Sequence, residues 1–147
     1  MKIKSSILKE LNKQGYGLVV SNHKIGNKIY NVYSNGLFVI RVSVEYFTNT
    51  VWYNVLEYFT VNSEGLKADY TFSSLKVKET VNNMQLLNYL MNNLNMNNKV
   101  LCVSSVKSFI EGNSYYYVEI PSLKRTFYVM NEKGIFNKVL KENFKVA

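Results

Sequence analysis

The side chains of residues 37–47 alternate between two faces, and this segment constrains the fold more than any other in the chain. The apolar face carries Phe38, Ile40, Val42, Val44 and Tyr46, and the polar face carries Arg41, Ser43 and Glu45. A period of two belongs to a β-strand, because successive side chains of a strand point to opposite faces of its sheet. The segment therefore predicts a strand with one buried face, and so a fold organised around a sheet.

The dipeptide Asn35-Gly36 lies just before this strand and predicts a hairpin. Both residues tolerate positive φ, which the two central positions of a tight hairpin turn require. We therefore expect residues 29–33 to pair with residues 38–42 in an antiparallel ladder.

A second turn, Thr48-Asn49-Thr50, leads from the strand into another apolar run that extends from Val51 to Val61. If the turn is centred on Asn49, Arg41 lies opposite Glu57 and Tyr46 lies opposite Trp52. Opposite charges that meet across a ladder stabilise it slightly, so this register is physically consistent. The two turns together predict three consecutive antiparallel strands.

Two segments have the i, i+3, i+4 spacing of amphipathic helices. The first is predicted at residues 5–14, with Ser5 or Ser6 as its N-cap and Gly15 as the left-handed residue at its end. The second is predicted at residues 80–96, with Thr80 as its N-cap. Its apolar stripe consists of Val81, Met84, Leu87, Met91 and Leu94, widened by Leu86 and Leu90.

Further strands are expected at residues 68–78, 99–110, 115–120 and 125–130. The parity of the apolar side chains changes after Phe72, which indicates a bulge in the strand at 68–78. The tail has helical spacing at Ile135, Phe136, Val139, Leu140 and Phe144, which predicts a short closing helix. The fold expected is α+β: one or more antiparallel sheets built from two hairpin-rich groups of strands, with two or three helices packed on one face.

The length of the chain, 147 residues, is that of one domain, and no linker rich in Pro, Gly or Ser divides it. We therefore predict a single domain over residues 1–147. Each part of the chain consists of a helix followed by strands, so two weakly similar halves, about 1–78 and 79–147, are an alternative. Common layering of helices on sheets explains the same order.

The composition indicates a soluble protein from the cytoplasm of a bacterial host. No apolar run approaches the roughly 18–20 residues that span a bilayer, and the first residues are charged and lack an apolar signal core. One cysteine, Cys102, agrees with a reducing compartment. The chain has 20 Asn against one Asp and 16 Lys against two Arg. An AT-rich coding sequence produces such ratios, so we infer a low-GC bacterium, or a phage or plasmid within one.

The residues that catalysis needs are scarce. The chain has one His, one Cys and one Asp, so a zinc site cannot be assembled and a catalytic triad would need His23 beside Asp69. His23 lies in the segment SNHKIGNK, which has the composition of an exposed turn, and Cys102 alternates with apolar residues as a buried thiol does. No glycine-rich phosphate loop is present. We predict no enzyme activity, no cofactor and no metal site.

The formal net charge is +8, which favours contact with polyanions, although lysine-rich surfaces also serve solubility. Basic side chains are expected at turns, and tyrosines at strand faces beside them. The predicted binding residues are Lys24, Lys28, Tyr115, Tyr117, Lys124, Arg125 and Tyr128. In this prediction Tyr117 lies across from Tyr128. Exposed tyrosines beside lysines stack on single-stranded nucleic acid, anchor protein interfaces, or merely fit a half-buried strand.

Three functions from different classes remain open on this sequence. The leading hypothesis is a non-catalytic binding protein of a phage or mobile element that acts on a host nucleic-acid-handling or nucleoprotein complex, such as an inhibitor of a CRISPR nuclease. The alternatives are a protein that binds DNA or RNA directly, and a subunit of a virion or of its assembly. None of the three involves a membrane.

Overall fold

The computed structural model describes residues 1–61, 63, 65 and 67–146, so that Asn62, Glu64, Leu66 and Ala147 lie outside the described residues. The chain forms two compact units, Met1–Asn88 and Tyr89–Ala147. Each unit contains one five-stranded antiparallel sheet, and the chain has two α-helices in its described part. The predicted α+β class with two groups of antiparallel strands is confirmed. The single domain with its alternative halves stays a prediction.

The first unit begins with helix α1, Ser5–Lys13, as predicted. The predicted serine N-cap is wrong: the N-cap is Lys4, whose carbonyl oxygen accepts bonds from the N–H groups of Ile7 and Leu8 at 3.0 Å. The helix ends before Gly15, which has a φ of 76° and so takes the left-handed conformation expected of it. Ile7 and Leu11 are fully buried.

Strands β1, Gly17–Ile25, and β2, Lys28–Ser34, form the first hairpin. They are joined by the two residues Gly26-Asn27, with Gly26 at a φ of 61°. The turn predicted around His23 is therefore wrong, because the strand continues to Ile25, whereas the predicted exposure of His23 is confirmed. The register shifts before His23, where Asn22 has a φ of 52° and donates its backbone N–H to the side-chain oxygen of Asn31. Asn22 thus forms a β-bulge in the edge strand.

The predicted hairpin between β2 and β3, Phe38–Tyr46, is present, but its register differs by two residues. Asn31 pairs with Val42, because the turn closes between Asn35 and Phe38. The side-chain oxygen of Asn35 accepts bonds from the N–H groups of Leu37 and Phe38 at 2.9 and 3.2 Å, so Asn35 caps the turn from its first position. A shift of two residues leaves every side chain on its predicted face.

Strand β4, Trp52–Thr60, pairs with β3 in the predicted register over nine residue pairs, from Phe38 opposite Thr60 to Tyr46 opposite Trp52. Arg41 lies opposite Glu57, and their side chains form an ion pair at 3.2 Å. The arginine guanidinium also stacks between the rings of Tyr30 and Phe59 at 4.8 and 4.7 Å. Pairing and stacking together account for a half-buried charge on this face of the sheet.

The strand predicted at residues 68–78 is shorter than expected. Strand β5 spans Tyr70–Ser73, a 3₁₀ turn follows at Ser74–Lys76, and helix α2 spans Val77–Asn92. The change of parity after Phe72 therefore marks the start of a helix and not a bulge. The predicted N-cap Thr80 lies inside the helix, where its buried hydroxyl donates to the carbonyl oxygen of Ser73 at 2.7 Å.

The core of the first unit lies on the sheet face that carries the even-numbered residues of β3 and β4. Helix α1 contributes Ile7 and Leu11 to the buried residues of this unit, and the first turns of α2 contribute Met84 and Leu87. The two helices are linked by a 2.8 Å bond from the Gln85 amide to the Glu10 carboxylate. On this face the buried apolar side chains of the sheet are Tyr33, Phe38, Ile40, Val42, Leu56 and Tyr58.

The second unit contains strands β6, Lys99–Cys102; β7, Ser114–Val118; β8, Thr126–Met130; β9, Phe136–Leu140; and β10, Phe144–Val146. Their order in the sheet is β10-β6-β7-β8-β9. The core contains Val100, Cys102, Phe109, Tyr115, Phe127, Val129, Val139 and Phe144.

Two predictions for the second unit are wrong. The strand expected at 99–110 ends at Cys102, because the following residues fold back and bury Phe109 against Tyr115 and Phe144. The tail is a strand, β9, and not a helix. Its helical spacing arises because β9 buries side chains on both faces, Val139 on the core face and Phe136 on the other. Sheet pairing with β8 then overrides the local periodicity.

Tyr58 generates a prediction about stability. It is 1% exposed, its ring packs edge-on against Phe38 and Phe72, and its hydroxyl has no hydrogen-bond partner among the described residues. A buried hydroxyl without a partner costs free energy. We expect Tyr58→Phe to raise the free energy of unfolding by about 1 kcal/mol at neutral pH. Urea denaturation measures this change, with the exposed Tyr89 changed to Phe as the control.

The same substitution has a pH signature. Burial raises the pKa of Tyr58 above its ordinary value of 10, so the folded state keeps the phenol protonated where the unfolded state releases the proton. The unfolded state then binds fewer protons above pH 10, and stability falls as the pH rises. Tyr58→Phe is expected to lose less stability between neutral pH and pH 11 than the original chain. Equal losses in both would contradict the buried phenol.

Candidate binding site

The two lysines predicted to bind a partner near the first hairpin lie on opposite faces of it. Lys24 pairs with Ile29 and Lys28 pairs with Ile25, so neighbouring positions of the ladder direct the two lysines to different sides. Lys28 forms an ion pair with Glu45 at 3.0 Å. Glu45 raises the pKa of Lys28 through this bond. The two charges therefore do not form one patch.

Tyr115 does not have the exposed position expected of a binding residue. It is 5% exposed and belongs to the core of the second unit, with its ring centroid 4.9 Å from that of Phe109. Its hydroxyl accepts the backbone N–H of Ile110 at 3.0 Å. Tyr115 thus fixes the loop that carries Phe109, which is a structural role.

Tyr117 and Tyr128 lie on opposite faces of the second sheet. Tyr117 pairs with Val129 and packs on the core side against Phe127 at 5.4 Å, whereas Tyr128 pairs with Val118. The predicted placement of Tyr117 across from Tyr128 is therefore wrong by one residue, and a shift of one residue turns a side chain to the other face. Burial raises the pKa of Tyr128, which is half-buried.

Lys124 and Arg125 are exposed in the loop before β8, as predicted. The backbone carbonyl of Arg125 accepts the N–H of Lys141 at 2.8 Å, which holds the end of this loop. None of the tyrosines predicted to act with them is exposed, since Tyr115 is buried and Tyr117 and Tyr128 are half-buried. Their role in binding stays a prediction.

The structure instead brings aromatic and basic side chains together at the turn between β3 and β4. We call this group the aromatic tip; it consists of Lys2, Lys4, Tyr46, Phe47, Val51 and Trp52. Phe47 is 72% exposed and Tyr46 is 58% exposed, although both are large aromatic residues. The ammonium groups of Lys2 and Lys4 lie 5.7 and 4.0 Å from the centroid of the Trp52 ring.

The turn that displays Phe47 is closed by its own hydrogen bonds. Its N–H donates to the carbonyl oxygen of Val51 at 2.8 Å, and the hydroxyl of Thr48 accepts the N–H of Val51 at 3.0 Å. Tyr46 and Trp52 form the last pair of the β3–β4 ladder, directly beneath the turn. Hydrogen bonds thus hold the backbone that carries the two exposed rings.

Asn54 attaches the first residues of the chain to the tip. Its side-chain oxygen accepts the N–H of Lys4 at 2.8 Å, and its side-chain nitrogen donates to the carbonyl oxygens of Lys2 and Ser43 at 2.9 and 3.2 Å. The Asn54 backbone N–H donates to the hydroxyl of Ser74 at 2.7 Å, and the residue is completely buried. One side chain therefore positions both lysines above Trp52.

Sequence reasoning missed the tip as a site, although it placed Tyr46 opposite Trp52. The signal was available: the segment YFTNTVW has apolar residues on both sides of a turn, where hairpin turns ordinarily carry polar ones. Lysines at residues 2 and 4 gave no signal, because their proximity to Trp52 depends on the contact with Asn54, which is 50 residues from Lys4.

Of the residues considered for catalysis, Cys102 and Asp69 have structural positions. Cys102 is buried in a core, and the Asp69 carboxylate accepts the N–H of Thr60 at 2.8 Å. His23 is exposed on the edge strand β1. Among the residues that the structure describes, no group of three or more His, Cys, Asp or Glu could hold a metal ion. In the same part of the chain, no helix has the length and apolar character needed to cross a bilayer.

Comparison of the chain with family models, with curated proteins and with solved structures finds no match.

The clamp by Asn54 is testable. Asn54→Ala removes three side-chain hydrogen bonds and is expected to lower the free energy of unfolding by about 2 kcal/mol. It also frees the lysines from Trp52, which is the single tryptophan of the chain. We expect its fluorescence emission to change as a result. The exposed helical Asn82, changed to Ala, is the control. Unchanged stability and emission in Asn54→Ala would contradict the clamp.

Proposed function

We propose that this chain is a non-catalytic binding protein of a phage or other mobile element, and that it inhibits a host nucleic-acid-handling or nucleoprotein complex such as a CRISPR nuclease. It acts by covering a surface of that complex. The aromatic tip is the contact surface. The observation that carries the proposal is the exposure of Phe47 and Tyr46 at a hydrogen-bonded turn, with Lys2 and Lys4 over the neighbouring Trp52 ring.

Three properties of the tip support a role in recognition. Aromatic residues contribute large contact areas at a small cost in side-chain entropy, and they dominate binding hot spots. The hydrogen bonds of the turn fix the geometry in advance, which reduces the entropy lost on binding. The lysines make the surface positive, which accelerates encounter with an acidic surface or with nucleic acid.

The scarcity of reactive groups and the composition support the remaining parts of the proposal. Glu57 forms an ion pair with Arg41, Cys102 is buried, and the Asp69 carboxylate accepts a backbone hydrogen bond. These contacts favour a mechanism of non-covalent binding over one of catalysis. The excess of Asn and Lys supports a low-GC source. A host complex that handles nucleic acid is the natural target for a basic protein from a mobile element.

The proposal is tested by capture of a purified CRISPR effector complex by the tagged full chain, together with inhibition of its nuclease activity. We expect Phe47→Ala to weaken capture and inhibition by at least about 10-fold, as loss of a hot-spot residue does. Leu75→Ala, which shortens another exposed apolar residue of the first unit, is the matched control. Each capture is repeated after nuclease treatment to identify the component that is bound.

Two outcomes count against the proposal. One is the absence of specific capture and of inhibition across effector complexes from low-GC bacteria. The other is full activity of Phe47→Ala, which would place the contact surface elsewhere. Far-UV circular dichroism of each variant establishes that it is folded before its binding is compared.

The edge strand β1 favours a second candidate, a subunit of a virion or of its assembly. All nine residues of Gly17–Ile25 are exposed, and Leu18, Val19 and Val20 form an apolar run in which Val19 is 62% exposed. β1 is the first strand of its sheet, so its outer backbone groups are available to a strand from another chain. Subunits that assemble by strand addition use such an edge.

This candidate predicts association that depends on protein concentration. Sedimentation velocity is expected to show oligomers that Val19→Lys disrupts, because a charge in the new interface would lose its hydration. Leu75→Lys introduces the same charge away from the edge and is expected to leave association unchanged. A chain that stays monomeric at every concentration, and that is absent from purified particles, excludes the assembly candidate.

A further inference from the structure

We infer that the aromatic tip is a binding site for single-stranded nucleic acid, in which bases stack on Phe47 and Tyr46 and phosphates lie at Lys2 and Lys4. This inference rests on the proposed function, since it specifies which component of a nucleoprotein complex the tip contacts. It differs from the site predicted from the sequence, which involved Lys124 and Arg125.

The rings of the tip are suited to stacking. A base is a flat aromatic group, and an exposed aromatic side chain provides a stacking surface for it whatever its sequence. Phe47 is the more exposed of the two rings, at 72%, and it follows Tyr46 directly in the chain. Phe47 lies in the turn, one residue beyond the end of β3, so the two exposed rings are adjacent in the chain and can meet successive bases of one strand.

The ammonium groups of the tip have no acidic partner among the described residues. Among the described residues, neither Lys2 nor Lys4 forms an ion pair. Glu45, the carboxylate nearest to the turn along β3, is already paired with Lys28 at 3.0 Å. The two ammonium groups are held against the Trp52 ring, which leaves their outer sides to an anion. In the described part of the chain, a phosphate at these ammonium groups meets no carboxylate that is already paired with them.

The arrangement favours a single strand over the other anionic partners. In a duplex the bases are stacked on one another, so a protruding ring has no base to meet. An acidic protein partner would have to place separate carboxylates at the two lysines. It would also need an apolar pocket with the shape of the Phe47 ring. A single strand repeats one base and one phosphate in every nucleotide, and the tip likewise combines exposed rings of the β3–β4 hairpin with the cations of Lys2 and Lys4. The 4.0–5.9 Å distances from the ammonium groups to the rings of Trp52 and Tyr46 keep both kinds of group within reach of neighbouring nucleotides.

Trp52 provides a direct measurement, because the chain has one tryptophan and it lies under the lysines. The purified full chain is titrated with an oligothymidylate of about 10 nucleotides, comparable to the length that a small stacking site covers. A duplex of the same length and vesicles of phosphatidylserine are the comparison ligands. We expect the oligothymidylate to change the Trp52 emission at low salt, and the duplex and the vesicles to leave it unchanged.

Variants separate stacking from charge. Phe47→Ala is expected to weaken oligothymidylate binding about 10-fold or more. The double variant Lys2→Gln and Lys4→Gln is expected to lower the slope of log affinity against log salt by about 1.4, since each phosphate contact on a single strand contributes about 0.7. Leu75→Ala and Lys78→Gln, which change an exposed apolar residue and an exposed lysine of the same unit, are the matched controls.

The outcomes distinguish this inference from the proposed function. Absence of oligothymidylate binding, with capture of the effector complex that persists after nuclease treatment and still depends on Phe47, overturns the inference and leaves the proposed function standing. Equal binding of duplex, or binding of the vesicles alone, also overturns the inference. So does binding that is abolished by Lys124→Gln and Arg125→Gln but not by Phe47→Ala. If the original chain neither binds the oligothymidylate nor captures an effector complex, both proposals are overturned.

Discussion

The antiparallel ladder between β3 and β4 is the constraint on which the rest of the first unit depends. Nine consecutive residue pairs extend from the turn between the two strands without a bulge. Their register determines which side chains face the core. Ile40, Val42 and Leu56 are fully buried on one side, while Arg41 and Glu57 meet on the other. The same ladder ends in Tyr46 and Trp52, so the element that organises the core also carries the exposed rings.

The sequence was sufficient to predict this ladder because its determinants are local. A turn centred on Asn49 and an alternation of period two leave one register that buries the apolar face and pairs Arg41 with Glu57. The left-handed conformation of Gly15 was also predictable, because it depends only on this residue and its immediate neighbours. The hairpin at Asn35 shows the limit of this reasoning: the side chain caps the turn from its first position and displaces the register by two residues.

The sequence-based predictions are wrong where contacts between distant residues determine the structure. β9 has helical spacing because both of its faces are buried, and Thr80 bonds to Ser73 from within a helix. Tyr115 was expected at the surface, yet its hydroxyl holds the loop that buries Phe109. The tip was missed for the same reason. Asn54 joins residue 4 to residue 54, and no local pattern of charge or hydropathy reveals such a contact.

The bulge at Asn22 has a consequence for how β1 can associate. Asn22 has a positive φ, and the ladder with β2 is irregular on the N-terminal side of His23. A bulge bends and twists its strand, so the outer edge of β1 is not straight over its full length. A neighbouring chain that adds to this edge would find only a few backbone groups in line before the bend. The kink thus works against endless stacking of copies into fibrils, even though the strand is apolar and open to water.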